Sequence, residues 1–213
     1  MLGMEHRSFS AQGLHLRRGQ KRIWEDANWT LHENTVLIGE NGAGKSSTIA
    51  MLAGQLAPDH GHLHFLVRGE EIGHDEWMRR VSLCAPWSSL PLHLSLEKML
   101  NFHQSFRKPR EGSLHFRELI RSSGLNVPSD LPMRDWSSGQ KQRLQLALAF
   151  GTEADALLLD EPGSNLDQSG LDWLHGLYRN LGTQSLVVVA TNDPKKEGPQ
   201  APSILEIRKK IDP

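Results

Sequence analysis

Apolar and polar positions along the 213-residue chain change period several times, and each change predicts an element. Residues 8–17 and 23–31 carry alternating or short apolar runs broken by Gly13, Gly19 and Asn28, which predicts two early strands. Residues 35–38 form a short β-branched strand that runs into a glycine-rich turn, and residues 46–56 read as a helix ended by Pro58. Residues 61–68 and 80–85 are further strand candidates. The pattern then changes. Between Pro86 and Pro132 the glycine and proline spacing predicts a small helical lobe, with Leu96, Met99, Leu100 and His103 at helical spacing over 95–106, and Phe116, Leu119 and Ile120 over 114–122. After it, helices over 138–150 and 168–181 alternate with apolar strands over 156–160 and 185–191, and 203–208 reads as a last strand. Alternation of this kind predicts an α/β fold. No internal repeat or low-complexity tract interrupts it.

The residues between these elements carry the chemistry. Gly39-Glu40-Asn41-Gly42-Ala43-Gly44-Lys45-Ser46 fits the phosphate-loop pattern G-x-x-x-x-G-K-[ST], with a strand before it and a helix after it. Glycines let successive N–H groups turn inward on a phosphate, and the helix N-terminus adds its positive end. Lys45 supplies a charge for the β and γ phosphates, Ser46 a hydroxyl for Mg²⁺, and Ser47 a reach toward the α-phosphate. The apolar strand Ala156-Leu157-Leu158-Leu159 ends in Asp160-Glu161. Asp160 is placed to hold the Mg²⁺ shell, and Glu161 to act as base for an attacking water.

A third segment, Trp136-Ser137-Ser138-Gly139-Gln140-Lys141-Gln142-Arg143, resembles the L-S-G-G-Q signature of ABC ATPases, with Trp136 for leucine and Ser138 for the first glycine. Its Ser137 stands 23 residues before Asp160, and the segment follows the helical lobe. Ser164-Asn165-Leu166-Asp167, shortly after Glu161, is similar to the family's S-A-L-D segment, the D-loop. The resemblance spans Gly39 to Asp193. It implies a P-loop NTPase (RecA-like) core with an N-terminal antiparallel β subdomain and a helical lobe inserted near 87–135, the whole of 1–213 forming one nucleotide-binding domain. It also implies ATP and Mg²⁺ as ligands. A second nucleotide-binding subunit would close the signature (Ser137, Ser138, Gly139, Gln140) and Asp167 over the first subunit's ATP, because Ser137 and Gly139 open a helix too far from the chain's own phosphate loop. The implied function is the ATPase subunit that powers an ABC transporter, bound to a separate membrane permease and so held at the cytoplasmic face of the membrane. Alternatives are a nucleotide-gated ABC protein that moves no solute, and a subunit that binds ATP and leaves hydrolysis to a partner.

Three positions depart from the family. Pro86 stands near the place of the glutamine that contacts Mg²⁺ and water after the strand at 81–85; proline offers no side-chain ligand and stiffens the hinge. Asn192 follows the strand at 185–191 where the family has a histidine on the γ-phosphate; asparagine donates a hydrogen bond but carries no charge. Arg18 stands nearest the position of the aromatic residue that stacks on adenine. These changes predict slow hydrolysis, with Lys45, Glu161 and Asn192 as the catalytic set.

Composition narrows the rest. Lys plus Arg is 24 and Asp plus Glu is 25, a net charge of −1, so no nucleic-acid partner is expected. One cysteine, Cys84, allows no internal disulfide or cysteine metal cluster, and reads as a small core residue. No run approaches the ~20 apolar residues needed to cross a bilayer, and the first ten residues do not read as a signal peptide. His62 and His64 share one strand face, which reads as a solvated face, with no acidic partner at ligand spacing. Arg208-Lys209-Lys210 reads as a solvated basic tail, with a weak contact to lipid headgroups as the alternative. Trp87 and the apolar stretch to Leu94 read either as lobe packing or as part of a docking surface for the permease. The separation of 92 positions from Lys45 to Ser137 leaves no room for the long coiled-coil arms of chromosome-type relatives, and no N-K-x-D motif points to guanine.

Overall fold

A computed structural model describes residues 7–200 and 202–208. Two sheets organise them. The first is antiparallel, in the order β2-β1-β4-β5, built from β1 (Arg7–Arg18), β2 (Lys21–Leu31), β4 (His60–Val67) and β5 (Glu70–Glu71). The second has the order β6-β7-β8-β3-β9, with β3 (Thr35–Ile38), β6 (Val81–Cys84), β7 (Ala156–Asp160), β8 (Leu186–Ala190) and β9 (Ser203–Glu206), every pairing parallel.

The central strands β7, β8 and β3 are buried nearly throughout because both faces are covered, whereas the edge strand β9 alternates half-buried and exposed positions. Side chains alternate between the faces, and two cores divide along that alternation. Leu157, Leu159, Val187 and Val189 point into one core, with the helical lobe, α5 (Ser138–Gly151) and α6 (Gln168–Leu181). Ala156, Leu158, Leu186 and Val188 point into the other, with α1 (Lys45–Leu52) and the antiparallel sheet, where Phe9 stacks on Phe65. The lobe itself carries α3 (Leu96–Gln104) and α4 (Phe116–Ser122), and its Met99, Leu100, Leu114 and Phe116 are all buried.

Several elements differ from the sequence expectation. The first helix stops at Leu52 rather than near Pro58. Gly54 takes a left-handed φ of 72°, its N–H donates to the Met51 carbonyl (3.0 Å), and the Gln55 N–H donates to the Ala50 carbonyl (2.9 Å). This glycine stop satisfies the last carbonyls and ends the helix before the proline is reached. Residues 74–80 form an additional helix, α2 (His74–Arg80), so Arg80 belongs to it and β6 begins at Val81. A one-turn helix, α7 (Pro194–Glu197), follows β8, and β5 adds an edge to the antiparallel sheet. The pair β4–β5 also brings Glu71 to His64 (Nδ1 to Oε1, 2.7 Å), a contact the spacing along the sequence does not predict; His60 and His62 are exposed. Arg208 pairs with Glu206, while Lys209 and Lys210 lie outside the described residues.

Candidate functional site

All the strands that carry candidate chemistry deliver it at their carboxyl ends. β3 leads into Gly39–Lys45, β7 ends at Asp160 and hands on to Glu161, and β8 leads to Asn192. In an open parallel sheet this edge is the ligand side, because strands and helix N-termini there leave N–H groups and loop side chains free to converge.

The phosphate loop enters α1 through Gly44, whose φ is 112° and whose Cβ would lie 2.5 Å from the Ile23 side chain. Only glycine satisfies both conditions. No side chain caps α1, so its first-turn N–H groups are available to an anion. The Lys45 ammonium is buried and satisfied by three oxygens: Gly39 O (2.8 Å), Glu40 O (3.3 Å) and Asn192 Oδ1 (2.8 Å). Asn192 turns its amide the other way, donating from Nδ2 to Glu161 Oε1 (3.2 Å). A chain Lys45–Asn192–Glu161 thus joins three loops. Glu161 is held at a φ of 47°, a strained value for a side-chain-bearing residue, with its N–H on the Ala190 carbonyl.

Ser46 Oγ donates to Asp160 Oδ2 at 2.7 Å. The other oxygen, Oδ1, is buried without a hydrogen-bond partner. Burial, reinforced by Glu161 and Glu197 and opposed by Ser46 and Lys45, raises the Asp160 pKa to about 6. A buried carboxylate with an unused oxygen beside a hydroxyl is an oxygen donor set that a hard divalent cation such as Mg²⁺ fits. Glu40, Asn41 and Ser46 are exposed, and Ala43 is buried. Gly42, Ser46, Ser47, Glu161, Arg18 and Lys21 share one cleft of about 380 Å³. Arg18 therefore sits at the mouth of the phosphate loop. A larger groove of about 880 Å³ lies at the opposite strand ends, but there Arg7 and Arg80 pair with Asp155 and Lys108 with Glu153. Size does not locate the chemistry; converging, unsatisfied groups do.

The signature residues are elsewhere. Ser137 caps α5: its Oγ accepts from the Gln140 N–H (3.2 Å), and Gln140 Oε1 accepts from the Ser137 N–H (2.9 Å). Ser137 and Ser138 are exposed. This reciprocal box refines the expected anion site, because the Ser137 oxygen and the Gln140 N–H are already engaged with each other. A Cβ on Gly139 would approach Asn165 O to 2.9 Å, so that position is small because the helix start packs on the Ser164–Asp167 segment of the same chain. Asp167 caps α6, accepting from the Gly170 N–H, and pairs with Arg143 at 2.6 Å; those contacts hold its carboxyl below the usual carboxylate range.

Pro86 is exposed, and no glutamine follows β6. Two glutamines of α5 approach this region instead. Gln142, buried, donates to the Pro162 carbonyl (2.9 Å), and Gln145 donates to the Ser88 carbonyl (2.6 Å). Sequence reading missed both, and missed buried Arg110, which binds the carbonyls of Phe150 and Ala154 and the Ser185 hydroxyl; the lost solvation lowers its pKa to about 10. Only fold-level proximity reveals these roles, since each partner lies 20 or more residues away. Cys84 is buried, and burial pushes its thiol up to about 12. Among the described residues no helix is long and apolar enough to cross a membrane.

Comparison with known proteins agrees with this geometry. Residues 25–164 match the ABC transporter family. The ribose import ATP-binding protein RbsA of Cereibacter sphaeroides is 31% identical over 185 residues, which are 80% of this chain and 36% of that protein. The cytochrome c biogenesis ATP-binding export protein CcmA of Rhizobium meliloti is 31% identical over 199 residues, 86% of this chain and 90% of that protein. The chain thus spans about a third of the length of one relative and nearly all of the other. An ATP-binding subunit of an ABC transporter superposes with a TM-score of 0.76 at 21% identity, covering 95% of this chain and 88% of that one. A bacterial Atm1-family exporter with ATP bound also gives 0.76, at 16% identity, over 98% of this chain and 38% of that one. These likenesses, with the phosphate loop and the Asp160-Glu161 strand end, establish that the chain belongs to the ABC transporter family as an ATP-binding chain.

Proposed function

We propose that the chain binds and hydrolyses ATP as the energy-supplying subunit of a transporter whose permease is a separate polypeptide. The observation that carries this is the meeting of Lys45, Ser46, Asp160, Glu161 and Asn192 at one strand edge, although they lie up to 147 residues apart. ATP phosphates replace the loop carbonyls on the Lys45 ammonium and take up the free N–H groups at the start of α1. Ser46 and the unused Asp160 oxygen would hold Mg²⁺, which would neutralise charge on the β and γ phosphates. Glu161 accepts the proton of the attacking water, and Asn192 holds Glu161 and Lys45 in register while contributing no charge. Pro86 in place of a glutamine and Asn192 in place of a histidine make the chemical step slow. The exposed start of α5 completes the site of a second copy, in a two-fold pair that contains two ATP molecules.

Between the lobe and the core lies a cleft of about 350 Å³ lined by Met78, Ser88, Leu90, Pro91 and Phe102. Trp87 and Leu92 are exposed beside it, Trp87 meeting Gln55 at 3.3 Å. This supports the docking reading of 87–94 over simple lobe packing. Phosphate release by purified protein, with and without Glu161→Gln, tests hydrolysis: a drop of about 10²- to 10⁴-fold is expected. Equal rates in an ATP-binding sample would overturn it. Co-purification of the permease should fail after Trp87→Glu with Leu92→Asp; its survival would count against the docking surface.

A further inference from the structure

Glu197 is a buried carboxyl that neither the sequence motifs nor the proposed chemistry uses. It ends α7, 8% exposed, and its backbone carbonyl accepts from the Tyr178 hydroxyl at 2.8 Å. Its Oε2 accepts from Thr191 Oγ1 at 2.6 Å. Because the Thr191 hydroxyl proton is committed to Glu197, its lone pairs are free to accept the Asp193 N–H, at 2.9 Å. That bond shapes the turn Thr191-Asn192-Asp193, and Asn192 is the residue that joins Lys45 to Glu161. On its other side Glu197 fills the space beside the segment after Glu161: a Cβ on Gly163 would lie 2.7 Å from Glu197 Cγ and 2.8 Å from Oε1. One side chain therefore braces both loops that flank Glu161.

The placement carries a cost: burial, with Glu161 and Asp193 adding to it and the Thr191 hydrogen bond and Lys196 opposing it, raises the Glu197 pKa. An apolar side chain would fill the same space without a desolvation cost. What the carboxyl adds is an acceptor for Thr191. We propose that Glu197 is a positioning residue: through Thr191 and Gly163 it fixes the Asn192 turn against the segment carrying Glu161. This rests on the proposed function only where hydrolysis is the readout.

The test compares Glu197→Ala, Glu197→Gln and Gly163→Ala in the full chain. Amide hydrogen exchange without nucleotide comes first. Loss of one hydrogen bond should speed exchange at Asp193 by about 10-fold in Glu197→Ala, while Glu197→Gln, which keeps an acceptor, stays near wild type. Unchanged exchange in Glu197→Ala, or equal acceleration in both variants, overturns the proposal. Phosphate release is second: kcat should fall about 10-fold in Glu197→Ala with unchanged ATP affinity, and recover in Glu197→Gln. A kcat that stays at the wild-type value while the turn loosens overturns it as well. Gly163→Ala should mimic Glu197→Ala, and the double variant should be no worse than either; additive losses would separate the two residues and sink the brace. If wild-type phosphate release ignores Glu161→Gln, the hydrolysis reading fails, and the exchange results still decide on Glu197.

Discussion

The two ends of α5 are built on opposite principles. Its C-terminal end is sunk in the protein: Phe150 and Gly151 are buried, Thr152 Oγ1 donates to the Leu148 carbonyl and meets His103 Nε2 at 3.0 Å, and Arg110 holds the Phe150 carbonyl. The last three carbonyls of the helix, of Ala149, Phe150 and Gly151, all take partners from outside it, in Ser82 and Arg110. Its N-terminal end is exposed and closes on itself through Ser137 and Gln140. The phosphate loop across the molecule resembles the buried end, since Lys45 and Asp160 are locked into contacts from three strands. One end of α5 is finished by this chain alone. The other is stable in water yet still offers hydrogen-bond donors outward, as expected of a surface that a second copy completes.

The sharpest way to break that contrast is to disable each half-site in a different copy. Lys45→Ala removes the buried half by taking away a charge-assisted phosphate contact; a loss of at least about 10-fold in ATP affinity is expected by nucleotide titration. Ser138→Glu attacks the exposed half. An acid in the first turn of α5 favours the helix dipole, so the fold should hold or gain slightly, but it places negative charge where a γ-phosphate would dock. Each variant alone should release little phosphate. A mixture should recover roughly a quarter of wild-type activity, because half of the randomly formed pairs carry one intact site made from both chains. A mixture as inactive as its components would show that the two halves do not meet across a pair.

Ser137→Ala probes the same end for stability alone. It removes the cap from an exposed helix start, and should cost about 1 kcal/mol by denaturant midpoint without moving the slope. Gly139→Ala should cost at least as much, because the added Cβ meets the Asn165 carbonyl at 2.9 Å and that backbone must shift. If Gly139→Ala were neutral, the close approach of α5 to the 164–167 segment would not be rigid.

The same contrast explains what the sequence disclosed. The phosphate loop, the Asp160 strand end and the parallel strands were legible because their chemistry is local: a glycine pattern, a run of apolar residues, two adjacent acids. The central strands β3, β7 and β8 are legible to within a residue at each end, since continuous apolar runs mark strands covered on both faces. The brace at Glu197, the carbonyl clamp at Arg110 and the glutamines of α5 were not legible. Their partners are distant in sequence, and a charged or polar residue reads as surface until the fold buries it. Helix α2 is not legible for a different reason: His74 to Arg80 is polar except for Trp77 and Met78, and its one buried side chain is Trp77, whose Nε1 donates to the Leu52 carbonyl. The α1 stop was misplaced because proline was given the role that Gly54 performs.

A pH series tests the buried end of α5. His103 is pushed down to a pKa of about 4, chiefly by burial and then by nearby Arg107. Because Thr152 Oγ1 donates its proton to Leu148, it accepts from His103, so Nε2 carries the hydrogen of a neutral ring. The folded pKa lies below the unfolded value of 6.5, so the unfolded chain binds the extra proton first. Stability from this group is complete above pH 6.5 and is lost as pH falls toward 4. At about 1.4 kcal/mol per unit the ceiling is roughly 3 kcal/mol, and residual solvent contact lowers it to the order of 1–2 kcal/mol. Asp160, raised to about 6, acts in the opposite direction over the same range, so the absolute curve is not diagnostic. The difference between wild type and His103→Gln is. Glutamine keeps a donor for Thr152 but does not titrate, so the variant, less stable at pH 7.5 through lost packing on Phe116, should close the gap as pH drops from 6.5 to 5. Parallel denaturation midpoints across that range would mean that His103 protonates freely in the folded protein, and that the C-terminal end of α5 is as open to water as its start.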